Sequence, residues 1–155
     1  MSTVFYTTSP TAIITAAIQT QPSGYSLESS SGSPIKAGGA QAVGWAVLGQ
    51  ADGSLANATV AVYPSVNASE AYFGRLVSNL KQLPGYTDVT SSLSSYQGYG
   101  GCYGYGEDVD GTAVVNGVCA KGNVILQLHL VSGKAFDDLE SDMASLMAAL
   151  YQGTG

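Results

Sequence analysis

Two cysteines, one histidine and three clustered carboxylates are the groups through which this chain could do covalent, acid–base or metal chemistry. The cysteines sit in "GGCYGYGEDVDGTAVVNGVCAKG", residues 100–122, on either side of Asp110-Gly111. Asp-Gly is a strong two-residue hairpin signal, because a type I′ turn needs positive φ at both central positions. With the turn centred there, Val109 faces Thr112, Asp108 faces Ala113 and, stepping outward, Cys102 faces Cys119. Closing the turn makes Val109/Thr112 a hydrogen-bonded pair, so Cys102/Cys119 is a non-hydrogen-bonded one. At such a site the Cα atoms approach to roughly 4.5 Å, within the range a disulfide accepts. A Cys102–Cys119 disulfide is therefore expected, and with it an oxidising compartment.

With both thiols committed, nucleophilic catalysis would rest on His129, in a strand-like run with no serine or carboxylate partner legible beside it. Glu107, Asp108 and Asp110 crowd one hairpin tip instead of flanking a cleft, so they do not form a glycosidase-type pair. Asp108-Val-Asp110-Gly111 overlaps the middle of a calcium loop. Aligned on that glycine, the loop would begin at Gly106 and end at Gly117, without its first acid and its bidentate Glu. Asp108 and Asp110 are weak metal candidates at most, and turn acids explain them better. Zinc lacks ligands. The Gly/Tyr run at 98–106 lacks the lysine and following helix of a phosphate loop. No cofactor is expected, and no enzyme.

Charged residues are only 10% of the chain, against about a quarter in ordinary domains. Net charge is −6, and the five Lys and Arg residues are scattered at Lys36, Arg75, Lys81, Lys121 and Lys134. Phosphate backbones need clustered cations, so nucleic acid is excluded as a partner, and anionic membrane surfaces are disfavoured for the same reason. Met1-Ser2-Thr3-Val4-Phe5-Tyr6 has neither the basic nor the apolar region of a signal peptide. The expectation is a mature extracellular or cell-surface domain whose leader or anchor has been removed, touching a membrane only through that anchor. Asn57-Ala-Thr59 and Asn67-Ala-Ser69 are glycosylation sequons.

The elements that must position these groups can be read in order. Ser9-Pro10 caps and opens a helix carrying Ile13, Ile14, Ala17 and Ile18. Strands are expected at 25–31, 43–49 and 58–63, with a loop through Gly39. Asn67-Ala-Ser-Glu70 reads as a capping box, opening a helix with Tyr72, Phe73, Leu76, Val77, Leu80 and Leu83 at helical spacing. Pro84-Gly85 stops it, and residues 86–97 carry no clear pattern. The cysteine hairpin follows, then a third strand at 124–131. A last amphipathic helix carries Phe136, Leu139, Met143, Leu146, Met147 and Leu150, with Asp137, Asp138 and Glu140 in its first turn. Short turns imply an antiparallel sheet of about five to six strands with helices packed on one face, a two-layer α+β sandwich spanning one domain, 1–155.

With a second turn centred on Lys121-Gly122, Cys119 pairs with Val124, Gly117 with Leu126 and Val115 with Leu128. One face then collects Val115, Cys119, Leu126, Leu128 and Leu130, beside Gly104 and Gly106, and is the core face. The other collects Tyr103, Tyr105, Val114, Asn116, Val118, Ile125, Gln127 and His129. Two readings of that second face stand side by side. Tyrosines and β-branched residues are ordinary on a half-exposed sheet face, yet Tyr103, Tyr105, Asn116, Gln127 and His129 together could also bind a flat polar ligand or a partner.

A strand ending in "VAVYPS", a helix beginning "NASEAYFGRL", a paired cysteine, "GNVILQLHLVS" and a closing amphipathic helix together resemble the extracytoplasmic sensor domains of actinobacterial membrane Ser/Thr kinases and related lipoproteins. The likeness spans roughly residues 40–152 in element order. It implies a strand-rich sheet backed by helices, with a small ligand bound in a cleft. The sequence-based expectation is thus a non-enzymatic binding or sensor module whose partner is a small molecule, a glycan or a protein at the cell surface. The alternative is a structural surface protein that self-associates as a homo-oligomer.

Overall fold

The computed structural model describes residues 5–33, 39–93 and 101–155. The N-terminal Met1–Val4 stretch, the loop around Lys36, the end of the Ser/Thr-rich segment and the first residues of the Gly/Tyr run lie outside them. Helix α1 (Pro10–Ile18) starts where expected, with Ser9 Oγ accepting from the Ala12 N–H at 3.2 Å. Strands β1 (Ser26–Ser33), β2 (Ala42–Gly49) and β3 (Leu55–Val62) follow, then helix α2 (Val66–Lys81). A two-residue strand β4 (Thr87–Asp88) precedes β5 (Cys102–Val109), β6 (Thr112–Lys121), β7 (Val124–Ser132) and helix α3 (Phe136–Gly153).

Among the described residues the strands form one sheet of seven in the order β1-β2-β3-β7-β6-β5-β4, with every pairing antiparallel. The fold is α+β, with one strand more than the sequence predicts, because β4 lies in the stretch left unassigned. Two consecutive three-strand meanders meet edge to edge through β3 and β7. The first hairpin has the predicted register: Asp110 and Gly111 take φ of 53° and 83°, and Cys102 is paired with Cys119. The disulfide closes there, with Cα atoms 4.1 Å apart.

The second hairpin differs. Cys119 pairs with Leu126, Gly117 with Leu128 and Val115 with Leu130, two residues on from the expected partners. The turn is centred on Gly122-Asn123, with Gly122 at φ 59°, because a two-residue turn with glycine first takes its positive φ at that position. A slip of two preserves side-chain parity, so each residue keeps its predicted face. The helix cap also moves: Ser65 caps α2, its Oγ accepting from the Ala68 N–H at 3.0 Å. Asn67 lies one residue inside, exposed.

Val115, Cys119, Leu126 and Leu130 are fully buried and Leu128 is 3% exposed, packed with Ile13 and Ile14 of α1 and Leu139, Met143, Leu146 and Met147 of α3. Gly117 lets α3 approach: a Cβ there would stand 2.8 Å from the Met143 sulfur. Gly106 likewise lies under the Phe136 ring, whereas Gly104 faces Val89. The helices flank both faces of the sheet and not one face as expected, since helix α2 sits on the opposite face. The end of that face is apolar, with Ala61, Val118, Ala120 and Ile125 requiring cover, and Tyr72, Phe73, Leu76, Val77 and Leu80 pack over it. The cover is partial: Ser69 is the buried residue of α2, and its apolar stripe is left half-exposed. Among the described residues no helix is long and apolar enough to cross a membrane.

Candidate ligand-binding site

Antiparallel pairing aligns side chains of one face into rows across strands. One row runs from Asn57 on β3 to His129 on β7, Asn116 on β6 and Tyr105 on β5. The next runs Trp45, Thr59, Gln127, Val118, Tyr103. Helix α2 covers the Val118 and Tyr103 end of the second row and stops short of the first. Where its cover ends, Leu80 overhangs a cavity of about 190 Å³ whose floor is Asn57, Thr59, Asn116, Gln127, His129 and Tyr105.

Tyr105, Asn116, Gln127 and His129, all singled out in the sequence, thus meet around one cavity. Tyr103 does not join them; it is 8% exposed, in the cluster beneath α2, with the Lys81 ammonium 5.6 Å from its ring centre. It acts on the cavity indirectly, stacking on Tyr105 at 5.6 Å while Tyr86 meets Tyr105 edge-on at 5.0 Å. The Tyr105 ring is held on two sides. Burial raises its phenol pKa, with the neighbouring Tyr86 and Tyr103 adding to the effect, so it stays a neutral donor and acceptor.

His129 is fixed in one role. Its Nδ1 lies 2.5 Å from the Asn116 carbonyl oxygen, which can only accept, so Nδ1 carries the hydrogen and Nε2 of the neutral ring is left as an acceptor. Asn57, Thr59 and Leu80, with Gly117, Val118 and Leu128, are the lining residues absent from the predicted site. Asn57 was visible in the sequence only as a sequon, and its membership depends on β3 pairing with β7, which no local signal encodes. Asn57 is exposed on the cavity floor, so a glycan on it and a ligand in the cavity would exclude each other. Asn67, the other sequon, is exposed in the first turn of α2.

The hairpin acids lie elsewhere. Asp110 is in the turn itself, and Asp108 lines a separate groove with Asp88, Asp137 and Glu140 at the start of α3. Among the described residues no three His, Cys, Asp or Glu side chains are grouped to hold a metal ion. Asp88 is held below the usual carboxylate range by the Thr90 hydroxyl and backbone N–H, a turn arrangement.

The sequence matches no protein-family model, and no curated protein matches it. The fold does match solved structures. The extracellular domain of PknH from Mycobacterium tuberculosis superimposes with a TM-score of 0.55 at 13% identity, over 83% of this chain and 81% of that one. The resemblance seen in element order is therefore a resemblance of fold, and at this identity it carries no residue across.

Proposed function

We propose that this chain is an extracellular, non-enzymatic ligand-binding module whose site is the cavity between α2 and the sheet. The observation that carries the reading is the convergence of Asn57, Thr59, Asn116, Gln127 and His129 on one cavity beside a braced tyrosine. These side chains offer paired donors and acceptors that converge on one small cavity, which favours recognition of a polar ligand. The disulfide supports an oxidising location, and the fold is shared with a domain described as extracellular. A fragment and metabolite screen by amide chemical-shift mapping tests the reading. Hits should shift Asn116, Gln127 and His129 and leave the α1/α3 side unmoved. Hits that cluster at the groove beside Asp137, or nowhere, would sink it.

Self-association has its own observation. Trp45 and Leu55, on the same open face, are 38% and 47% exposed, and such residues favour contact with a second apolar surface. Sedimentation over a hundredfold concentration range separates the two readings: a monomer throughout counts against assembly.

A further inference from the structure

We propose that the ligand of this cavity is a neutral, hydroxyl-rich oligosaccharide lying across the strands; the inference rests on the binding-module reading above. The first argument is charge. Among the described residues the cavity lining contains amide, hydroxyl, imidazole and phenol groups and no carboxylate, ammonium or guanidinium. An anionic ligand would find no cation to replace its hydration, and a cationic one no carboxylate. Lys81 and Asp88 do not line the cavity: Lys81 lies over the Tyr103 ring, and Asp88 accepts from the Thr90 N–H at 2.8 Å.

The second argument is hydrogen-bond valence. Asn57 and Gln127 each present a carbonyl acceptor beside an NH₂ donor, the pattern that two adjacent hydroxyls of a sugar ring satisfy at once. Asn116 spends its carbonyl on His129, leaving its NH₂ to donate, while His129 Nε2 accepts. Thr59 does either. A purely apolar ligand would leave these groups unpaired, which is costly. An extended peptide is disfavoured because β3, β7 and β6 are interior strands whose backbone groups are already used in the sheet, so it could not add as a strand.

The third argument is shape. Tyr105, braced by Tyr86 and Tyr103, ends one row, and the exposed Trp45 stands beside Thr59 in the other. Rigid aromatic faces at both sides of an amide floor suit the C–H faces of sugar rings at low entropic cost. From Asn57 to Tyr105 there are three inter-strand steps, roughly 14 Å. The cavity, about 190 Å³, is smaller than the roughly 300 Å³ at which sites for drug-sized ligands begin. It seats one ring, and the rest of the chain lies along the open rows.

Trp45 is the only tryptophan, so its fluorescence reports binding directly. The full chain should be titrated with neutral hexasaccharides (malto-, cello-, manno- and chito-series), an acidic oligogalacturonate, a cationic chitosan hexamer and an uncharged Gly/Ser/Asn hexapeptide. Amide shifts should be mapped in parallel. The expected result is a Trp45 emission change and shifts at Asn116, Gln127 and His129 with at least one neutral hexasaccharide. Gln127→Ala should weaken that binding about tenfold, the equivalent of one net hydrogen bond, with the native circular dichroism spectrum retained. Absence of any neutral-saccharide shift at those residues overturns the inference. If the peptide or a charged oligomer shifts them instead, the saccharide assignment fails and the binding-module reading survives. If no ligand of any class reaches the cavity, here or in the fragment screen, both fail.

Discussion

Counting outward from a single turn sets Cys102 opposite Cys119, and the pairing follows because the residues between them and the turn are all in the ladder. Both cysteines lie in the main core cluster, so the crosslink ties β5 to β6 inside the core. The disulfide closes a 17-residue separation and contributes about 3 kcal/mol on a chain-entropy account. The double replacement Cys102→Ala, Cys119→Ala should therefore lower Tm by roughly 6–12 °C for a chain of this size. Melts under matched non-reducing conditions check this, together with a thiol assay that should find no free sulfhydryl in the untreated protein; an unchanged Tm would show the bond to be incidental. At the cavity the same local counting placed Tyr105, Asn116, Gln127 and His129 on one face, since they lie on strands joined by short turns. Asn57 and Thr59 escaped it. They reach the site only because β3 pairs with β7, and the intervening residues hold a helix and three strands that leave no local trace of the partner.

At the scale of elements, the three helices differ in how firmly they are held. Leu139, Met143, Leu146 and Met147 of α3 are 0–2% exposed, whereas α2 buries Ser69 and leaves its apolar stripe half in solvent. Ser69 Oγ donates to the Gly122 carbonyl at 2.5 Å, pinning the start of α2 to the β6–β7 turn while its far end overhangs the cavity. Leu146→Ala should cost about 2–5 kcal/mol through cavity creation, and Leu76→Ala only about 1 kcal/mol, as expected for a side chain already half in water. Hydrogen exchange should show α2 amides opening well below the global unfolding free energy and α3 amides near it; equal protection in both helices would contradict this account. The sequence pattern located α2 but put its cap at Asn67 through the Asn67-x-x-Glu70 box, whereas Ser65 caps it. Its amphipathic stripe also said nothing about which sheet face would receive it. That choice belongs to the apolar patch of Ala61, Val118, Ala120 and Ile125, which exists only once the two meanders are joined.

Across the whole molecule, two buried tyrosines sit at the seams and make stability depend on alkalinity. Tyr25, fully buried, donates its hydroxyl to Asp142 of α3 at 3.1 Å, and Asp142 also accepts from the Lys134 ammonium at 2.6 Å. That cluster ties the start of the first meander to the closing helix. Tyr63, 1% exposed, stacks on Tyr72 at 5.6 Å where the first meander passes into α2. Burial pushes the Tyr63 phenol up to about 12, and the Tyr72 charge adds to it. Burial also raises Tyr25, reinforced by the negative charge of Asp142. For an acid whose folded pKa exceeds its unfolded value, near 10, the unfolded chain releases its proton first. The folded state therefore keeps its full advantage below about pH 10 and loses it as pH rises beyond. Denaturant midpoints should hold level up to about pH 9 and then fall, with tyrosinate absorbance from these residues appearing together with unfolding. Tyr63→Phe should flatten part of that fall at little cost near neutrality. Tyr25→Phe should flatten it too, but at a neutral-pH cost of about 1.5–3 kcal/mol for the hydrogen bond to a charged carboxylate. Equal alkaline slopes in the parent and both variants would place the linkage in groups other than these two phenols.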